Sequence, residues 1–518
     1  MRAAAGCTDP LRDTRRATAR VNALVQRFRH LAATHTAEFY TSNVWAEHVG
    51  LEPGPVLCRA REQARLMIED DDDDDDECSS DDDEFTRKDD CPGQEPEKLR
   101  QLLDLRSFFR GVSTARTYLR NVTVSRSSVL HHLEAQQPHR AAPLLSPAEF
   151  MSCKKSHEVE LMSEVIAVLA HHCHVRQVFN LGSGKGYLSS YLALCYGLKV
   201  YGIDSSDGNS HGAAERHRKL QRFWKSYERK SALQAGKQPL TWKEQRQRRE
   251  ASIKAKAQTT PQPSFHLPVT SHVTPKTKLS QLVGELEDSV LIGLHTCGDL
   301  AATSLRLFAK RPELRAICTA GCCYHLLSEE FELIERNDVN EVQGFPLSEF
   351  LKSRRCALGR NVRMCACLAA ERVATGKVPP TESLFFRAVL QVIIQEHFGV
   401  LDSTKHVGKT YARSSSFLDY VRKSLEKLSL DGSQLSDGVI QSYLDKYQPK
   451  MVELEAFNML KVLLAPCIEG LILLDRLCFL QEQEPEAYAV LVPLFDPRTS
   501  PRCFALIATK KDCLHIHK

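Results

Sequence analysis

The chain has 518 residues, is 42 % hydrophobic and carries a formal net charge of only +4. It is too long for one small core, so two or three lobes are expected, and its apolar content is that of an ordinary globular protein. The most apolar run, "LLAPCIEGLILLDRLCFL" from Leu463, holds Glu469, Asp475 and Arg476, so it reads as a buried helix rather than a membrane span. Eighteen cysteines are scattered through the chain, several in apolar segments (Cys195, Cys318, Cys467, Cys478) and none in a C-x-x-C pair. That usage fits reduced thiols of the cytosol or nucleus, not a disulfide framework.

In chain order, residues 1–150 read as a helical N-terminal region. Its Arg-rich start resembles a presequence in composition, but Asp9 and Asp13 interrupt it, and "VNALVQRFRHLAA" reads as a first amphipathic helix. The block "EDDDDDDDECSSDDDE" opens an acidic insertion, 69–90, that repels itself and is expected to be disordered. Ser79 and Ser80 each have an acid three residues on, Asp82 and Asp83, the pattern of an acidophilic kinase site.

From residue 151 the chain becomes regular. Val159, Met162, Val165, Ile166 and Leu169 recur at helical spacing. "QVFNL", "VYGID", "SVLIGLH" and "AICTAG" are short continuous apolar runs, the mark of parallel strands covered on both faces. Their alternation with helices predicts an α/β, doubly wound, Rossmann-like sheet. Residues 151–345 form the first part of this core, broken by a basic insertion at about 211–278 in which "TTPQPSFHLPVTSHVTP" has turn and extended character. Residues 346–482 read as a large helical insertion. Residues 483–518 read as a terminal β-hairpin that completes the sheet.

Between the first two strands, Gly182, Ser183, Gly184, Lys185 and Gly186 form G-x-G-x-G, and a helix begins at Tyr187. Glycines let the chain turn tightly and a ligand approach the backbone. A P-loop needs a hydroxyl after its lysine, but Gly186 follows Lys185. A dinucleotide fingerprint needs its third glycine where Tyr187 stands. S-adenosylmethionine is the ligand best matched by G-x-G-x-G. Asp204, 22 residues after Gly182, stands where a carboxylate accepts both ribose hydroxyls.

Several stretches carry a closer resemblance: "KKSHEV", "NLGSGKGYLS", "LKVYGIDSS", "GLHTCGDLA", "GCCYHLL", "GKTYARSSSFLDYVRKSL", "LAPCIEGLILLDRL" and "SPRCFALIA". In these the chain resembles the methyltransferase-like protein 25 family of Rossmann-type methyltransferases. The resemblance implies a seven-stranded sheet with S-adenosylmethionine over its C-terminal edge. It implies that Gly182, Gly184 and Gly186 pack under the methionine and ribose, that Asp204 holds the ribose diol, and that Ser205 and Ser206 lie near the adenine. Where the family usually has Asp before "LGSGKG", this chain has Asn180. An amide accepts a hydrogen bond but offers no counter-charge to the ligand's ammonium, so binding is expected to weaken by about 1 kcal/mol or somewhat more.

"LHTCGDLA" continues from "SVLIGLH", taken as the fourth strand of such a sheet, where such enzymes place catalytic groups, and makes His295, Cys297 and Asp299 the catalytic candidates. Methyl transfer needs an oriented nucleophile and, for a hydroxyl or amine, a base. His295 or Asp299 fits that role; Asp299 also reads as the N-cap of the next helix. Cys322, Cys323 and His325 gather with Cys297 and His295 at one sheet edge, as structural thiols, a zinc site or a reactive cysteine. Adjacent cysteines and a C-x24-C spacing are not an ordinary zinc pattern, so no metal is expected. Lys154, Lys155 and His157 face a cofactor carboxylate or a substrate phosphate, or are a plain polar helix start.

The basic segment Arg216 to Lys256 interleaves Phe223, Trp224, Tyr227 and Trp242 with its cations, a composition that suits base stacking and also a helix packed on its domain. A macromolecular substrate is expected, RNA ahead of protein. The pairing of a Cys-Gly motif with a double cysteine, similar to that of tRNA 2′-O-methyltransferases, leans the same way. An Asn-Pro-Pro-Tyr motif for adenine N6 methylation is absent. A catalytically weak or silent S-adenosylmethionine-binding protein and a protein methyltransferase are the alternatives. No membrane partner is expected.

Overall fold

The computed structural model describes residues 9–72, 96–134, 150–234, 265–331, 343–369, 381–399 and 407–514. The chain divides into two compact units. One is made of residues 1–17, 120–357 and 472–518; the other of residues 18–119 and 358–471.

The first unit is built on a seven-stranded sheet. Its strands are β1 (Gln177–Leu181), β2 (Lys199–Asp204), β3 (His266–Thr270), β4 (Ser289–Cys297), β5 (Leu314–Cys322), β6 (Tyr488–Pro493) and β7 (Phe504–Thr509), in the order β3-β2-β1-β4-β5-β7-β6. β1 to β5 run parallel; β7 is antiparallel to both β5 and β6. All five residues of β1 are buried, as a central strand covered on both faces requires. The helix Cys153–His172 buries Val159, Met162, Val165, Ile166 and Leu169, and this stripe joins Val178, Val200, Val290, Ile292 and Ile507 in one core. The strand order reverses direction between β1 and β4. Open α/β sheets bind ligands in the crevice at that switch point, beyond the C-terminal strand ends.

Two sequence expectations are corrected. β3 lies inside the segment read as basic insertion with turn character. As an edge strand it pairs, among the described residues, only with β2, so it tolerates Pro268 and shows a partly buried, mixed pattern rather than an apolar run. Of the segment 69–90 expected to be disordered, the first residues, Glu69 to Asp72, are the end of the helix Pro53–Asp72. Ser79, Ser80 and the remaining acids lie outside the described residues.

The second unit is helical. Phe28 meets Phe108 edge-on at 5.0 Å, and Phe39 meets Phe457 at 5.5 Å. Lys461 Nζ donates to Thr34 O at 2.8 Å and Asn361 Nδ2 to Ala33 O at 2.9 Å. These contacts bind the early helices to residues 358–471, far along the chain. Asp437–Gln483 holds a window long and apolar enough to cross a membrane, and 83 % of that window is buried within the protein. Pro10–Arg27, the Arg-rich start, is a helix with Ala17, Val21, Leu24 and Val25 buried.

Candidate functional site

The glycine turn leaves β1 with Gly182, Gly184 and Gly186 all at positive φ, +67°, +53° and +69°. Gly182 N and Ser183 N both donate to Ile203 O at 2.9 and 3.1 Å, which ties the turn to β2. A methyl group at Gly186 would lie 2.8 Å from Ala213 Cβ and 2.9 Å from His266 Cε1, so this glycine is fixed by packing as well as conformation. At Gly184 nothing lies within 4 Å of that position. The turn's back is therefore closed and its front open. His266, held under the turn near His217, is buried and pushed down to about 3, chiefly by desolvation, so it is a neutral packing group.

A cavity of about 220 Å³ opens over this turn and the end of β4. Gly182, Ser183, Gly184 and Lys185 form its floor, with Asn180, Tyr187 and Leu188 beside them. Lys155, Glu158 and Val159 line it from the helix Cys153–His172, and Leu294 and His295 from β4. Asn180 Nδ2 donates to Ser189 Oγ at 2.8 Å, while Asn180 Oδ1 is buried with no hydrogen-bond partner among the described residues. Asp204 lies just outside the lining. Its Oδ2 accepts Gly184 N at 2.9 Å, and its Oδ1 accepts Ser206 N at 2.9 Å and Asn209 Nδ2 at 3.0 Å. Ser205 follows it, exposed. A larger cavity of about 450 Å³, lined in part by His35, Glu38 and His48, belongs to the helical unit and has neither strand ends nor a glycine turn.

His295 reaches the cavity through a β-bulge. Leu294 pairs with Ala320 and Thr296 with Gly321, so His295 is the extra residue, at φ +61°. A bulge of this kind re-aims a side chain next to a site. His295 Nε2 lies 2.9 Å from Glu158 Oε1. Glu158, its side chain 4 % exposed, also accepts Ser500 Oγ at 2.6 Å and faces Lys154 Nζ at 3.5 Å. Burial pushes the Glu158 carboxyl up, but the contacts from His295, Ser500 and Lys154 together hold it below its ordinary value.

Asp299 is placed differently from the N-cap expected of it. Gly298 is the N-cap, and Asp299 is the first residue of the helix Asp299–Lys310, where a carboxylate complements the helix dipole. Its Oδ1 accepts Ser328 N at 2.9 Å, outside the cavity lining. His157 is likewise occupied, its Nε2 accepting Asp496 N at 2.9 Å. Cys297 turns away from the cavity to Cys322 Sγ at 3.2 Å and Cys323 Sγ at 3.5 Å. The Cys322 thiol holds Cys297 down to about 6 against the effect of burial, with help from Cys323 and His295.

The cavity's outer wall is cationic. Lys155 Nζ and the Arg216 guanidinium each lie 4.1 Å from the centre of the Tyr187 ring. Arg216 belongs to the helix Asp207–Gln234, the start of the basic segment. Within that helix Trp224 is buried, and Trp224 and Tyr227 pack on Phe150 at 6.0 and 5.8 Å. They anchor the helix and are not free to stack on bases. Phe223 is 51 % exposed, and Trp242 lies outside the described residues.

Glu158 is the site residue that sequence reasoning missed. Its signal was present: Glu158, Met162 and Val165 share one helical stripe, so an acid stood among core positions. Ser500, within "SPRCFALIA", carries no such signal.

A methyltransferase-domain family model matches residues 154–330. The chain is 40 % identical to a Mus musculus protein named "Probable methyltransferase-like protein 25", over 93 % of this chain and 94 % of that protein. It is 39 % identical to the Homo sapiens protein of the same name, over 98 % of this chain and all of that protein.

Proposed function

The chain belongs to the methyltransferase-like protein 25 family and carries a methyltransferase domain, and from that premise we propose that it transfers a methyl group from S-adenosylmethionine to a macromolecule, RNA ahead of protein. The observation that carries the reading is the donor set over the glycine turn. A buried amide oxygen without a partner among the described residues (Asn180), a carboxylate (Glu158) and an ammonium (Lys155) converge on one cavity whose floor is open backbone. That set fits a ligand with an ammonium, a sulfonium and a carboxylate. When bound, S-adenosylmethionine supplies an electrophilic methyl group on sulfur.

Lys155 would hold the ligand's carboxylate and Asn180 Oδ1 would accept from its ammonium. Glu158 restores, from the helix, the negative charge that Asn180 lacks. Asp204 already accepts three N–H groups and keeps about one lone-pair site, on Oδ2, for a ribose hydroxyl. His295, oriented by Glu158, is the base we assign for the nucleophile's proton: with Nε2–H directed at Glu158, Nδ1 is the basic nitrogen.

RNA is favoured over protein because cations continue from Lys155, Lys185 and Arg216 at the cavity to Arg218, Lys219 and Arg222 on the helix Asp207–Gln234, next to the exposed Phe223. The reduced thiols suit a cytosolic or nuclear enzyme. The test is transfer of labelled methyl from S-adenosylmethionine to fractionated cell extract, with parallel RNase and protease digestion. Label lost to RNase alone is expected. Label lost only to protease moves the substrate to protein, and no label in any fraction refutes methyl transfer.

A further inference from the structure

We propose that Cys297, Cys322 and Cys323 form a three-thiolate site for one thiophilic d10 cation, zinc(II) in first place. The three sulfurs converge from two strands and a turn: Cys297 to Cys322 is 3.2 Å, Cys297 to Cys323 3.5 Å and Cys322 to Cys323 3.6 Å. Such a triangle lies on a circle of about 2.0 Å radius, inside the zinc–sulfur bond length of about 2.3 Å, so one ion can reach all three at once. Among the described residues no His, Asp or Glu belongs to this group of mutually close ligand atoms. Three protein ligands are the number that zinc takes when its fourth position is left to solvent or substrate.

The backbone is shaped to bring the sulfurs together. β4 and β5 pair in parallel with Cys297 opposite Cys322, after the bulge at His295 has reset the register. Cys323 then takes φ +51°, a strained left-handed conformation for a residue with a side chain, and Gly298 beside Cys297 takes +53°. A disulfide would account for two of the sulfurs and leave the left-handed turn at the third without purpose; an ion uses all three.

A methyl group at Gly321 would collide with Arg476 Nη1, so a buried guanidinium backs β5 at the residue before Cys322. Cys297 is exposed, which gives the ion a way in. Each thiol that coordinates releases its proton to solvent, and no electron is transferred. Soft sulfur ligands select zinc(II) or copper(I) over harder ions. The inference stands apart from the methyl-donor reading, since the sulfurs lie outside the cavity lining.

The test uses the full chain, purified without chelator and dialysed, with metal content measured by mass spectrometry. About one zinc per chain is expected. The exposed, remote Cys58→Ser variant should keep it, and Cys297→Ser and the pair Cys322→Ser/Cys323→Ser should lose it. Cobalt(II) added to the metal-stripped protein should give the near-ultraviolet charge-transfer band of thiolate ligands, absent in Cys297→Ser. Because Cys297 is exposed, that variant tests the site even if Cys322→Ser impairs folding. Copper(I) in place of zinc upholds the site and changes the ion. A protein that holds no metal and gives no thiolate band with cobalt overturns the proposal. So does metal retained when all three cysteines are replaced, which marks an adventitious ion only.

Discussion

Gly184 and Gly186 stand two residues apart in the same turn, both at positive φ, yet their surroundings differ, and alanine at each should separate ligand space from packing. At Gly184 the added methyl meets nothing within 4 Å, so only the left-handed conformation opposes it, at about 1–2 kcal/mol. At Gly186 the same strain adds to contacts of 2.8 Å with Ala213 and 2.9 Å with His266, both in packed elements. Overpacking of that kind costs about 1–3 kcal/mol more, for a total of about 2–5. In a unit of about 300 residues, at about 2.1 cal/mol/K per residue, each kcal/mol lowers the melting temperature by about 1.5 °C. Thermal melts should therefore show Gly184→Ala a few degrees below wild type and Gly186→Ala clearly lower. Calorimetric titration of folded Gly184→Ala with S-adenosylmethionine should show affinity reduced by roughly tenfold or more, about 1.4 kcal/mol, because the methyl occupies the space over the turn. Unchanged affinity in Gly184→Ala would refute the placing of the ligand over this turn, and equal stability of the two variants would refute the packing account of Gly186.

His295→Asn keeps a residue that tolerates the left-handed bulge. It should lower methyl transfer by roughly 10²–10⁴-fold while leaving S-adenosylmethionine binding nearly unchanged, as measured by labelled transfer and titration side by side. Glu158→Gln should destabilise the sheet unit at neutral pH by about 1.5–3 kcal/mol, the value of hydrogen bonds to a charged group. Because the folded Glu158 carboxyl is held below its ordinary 4.5, its contribution is present above that pH and is lost as pH falls through the folded value. The stability gap between wild type and Glu158→Gln, followed by denaturation from pH 7 to pH 3, should therefore narrow in acid; a gap that widens contradicts the assignment. Replacing Arg218, Lys219 and Arg222 by Gln should weaken RNA binding and reduce the slope of log K against log salt by up to about 2. An unchanged slope removes this helix from the RNA surface.

The parts of the fold legible in the sequence are those that depend on local burial. β1, β2, β4 and β5 stand out as apolar runs because the sheet is covered on both faces, and the terminal hairpin because its turn breaks two such runs. β3 was hidden: an edge strand with a proline needs neither full burial nor every N–H. The joining of residues 18–119 with 358–471 rests on contacts across hundreds of residues, for which helical periodicity carries no signal. At the site, the glycine turn and Asp204 follow from spacing alone. The Glu158–His295 pair does not, because it depends on a bulge that exists only once β4 has chosen its register against β5. The same register brings Cys297 opposite Cys322, which turned an unpromising 24-residue spacing into a triangle of sulfurs.

The most direct test of the account is calorimetric titration of the wild-type chain and Asp204→Ala with S-adenosylmethionine, with thermal melts to confirm that both are folded. Asp204 supports Gly184 N and faces the place assigned to the ribose, so its removal should take away both the turn's anchor and the ligand's. One-to-one binding by the wild type and no measurable binding by the variant are predicted. No binding by the wild type, or equal affinity in the two, would contradict the assignment of S-adenosylmethionine to the glycine turn.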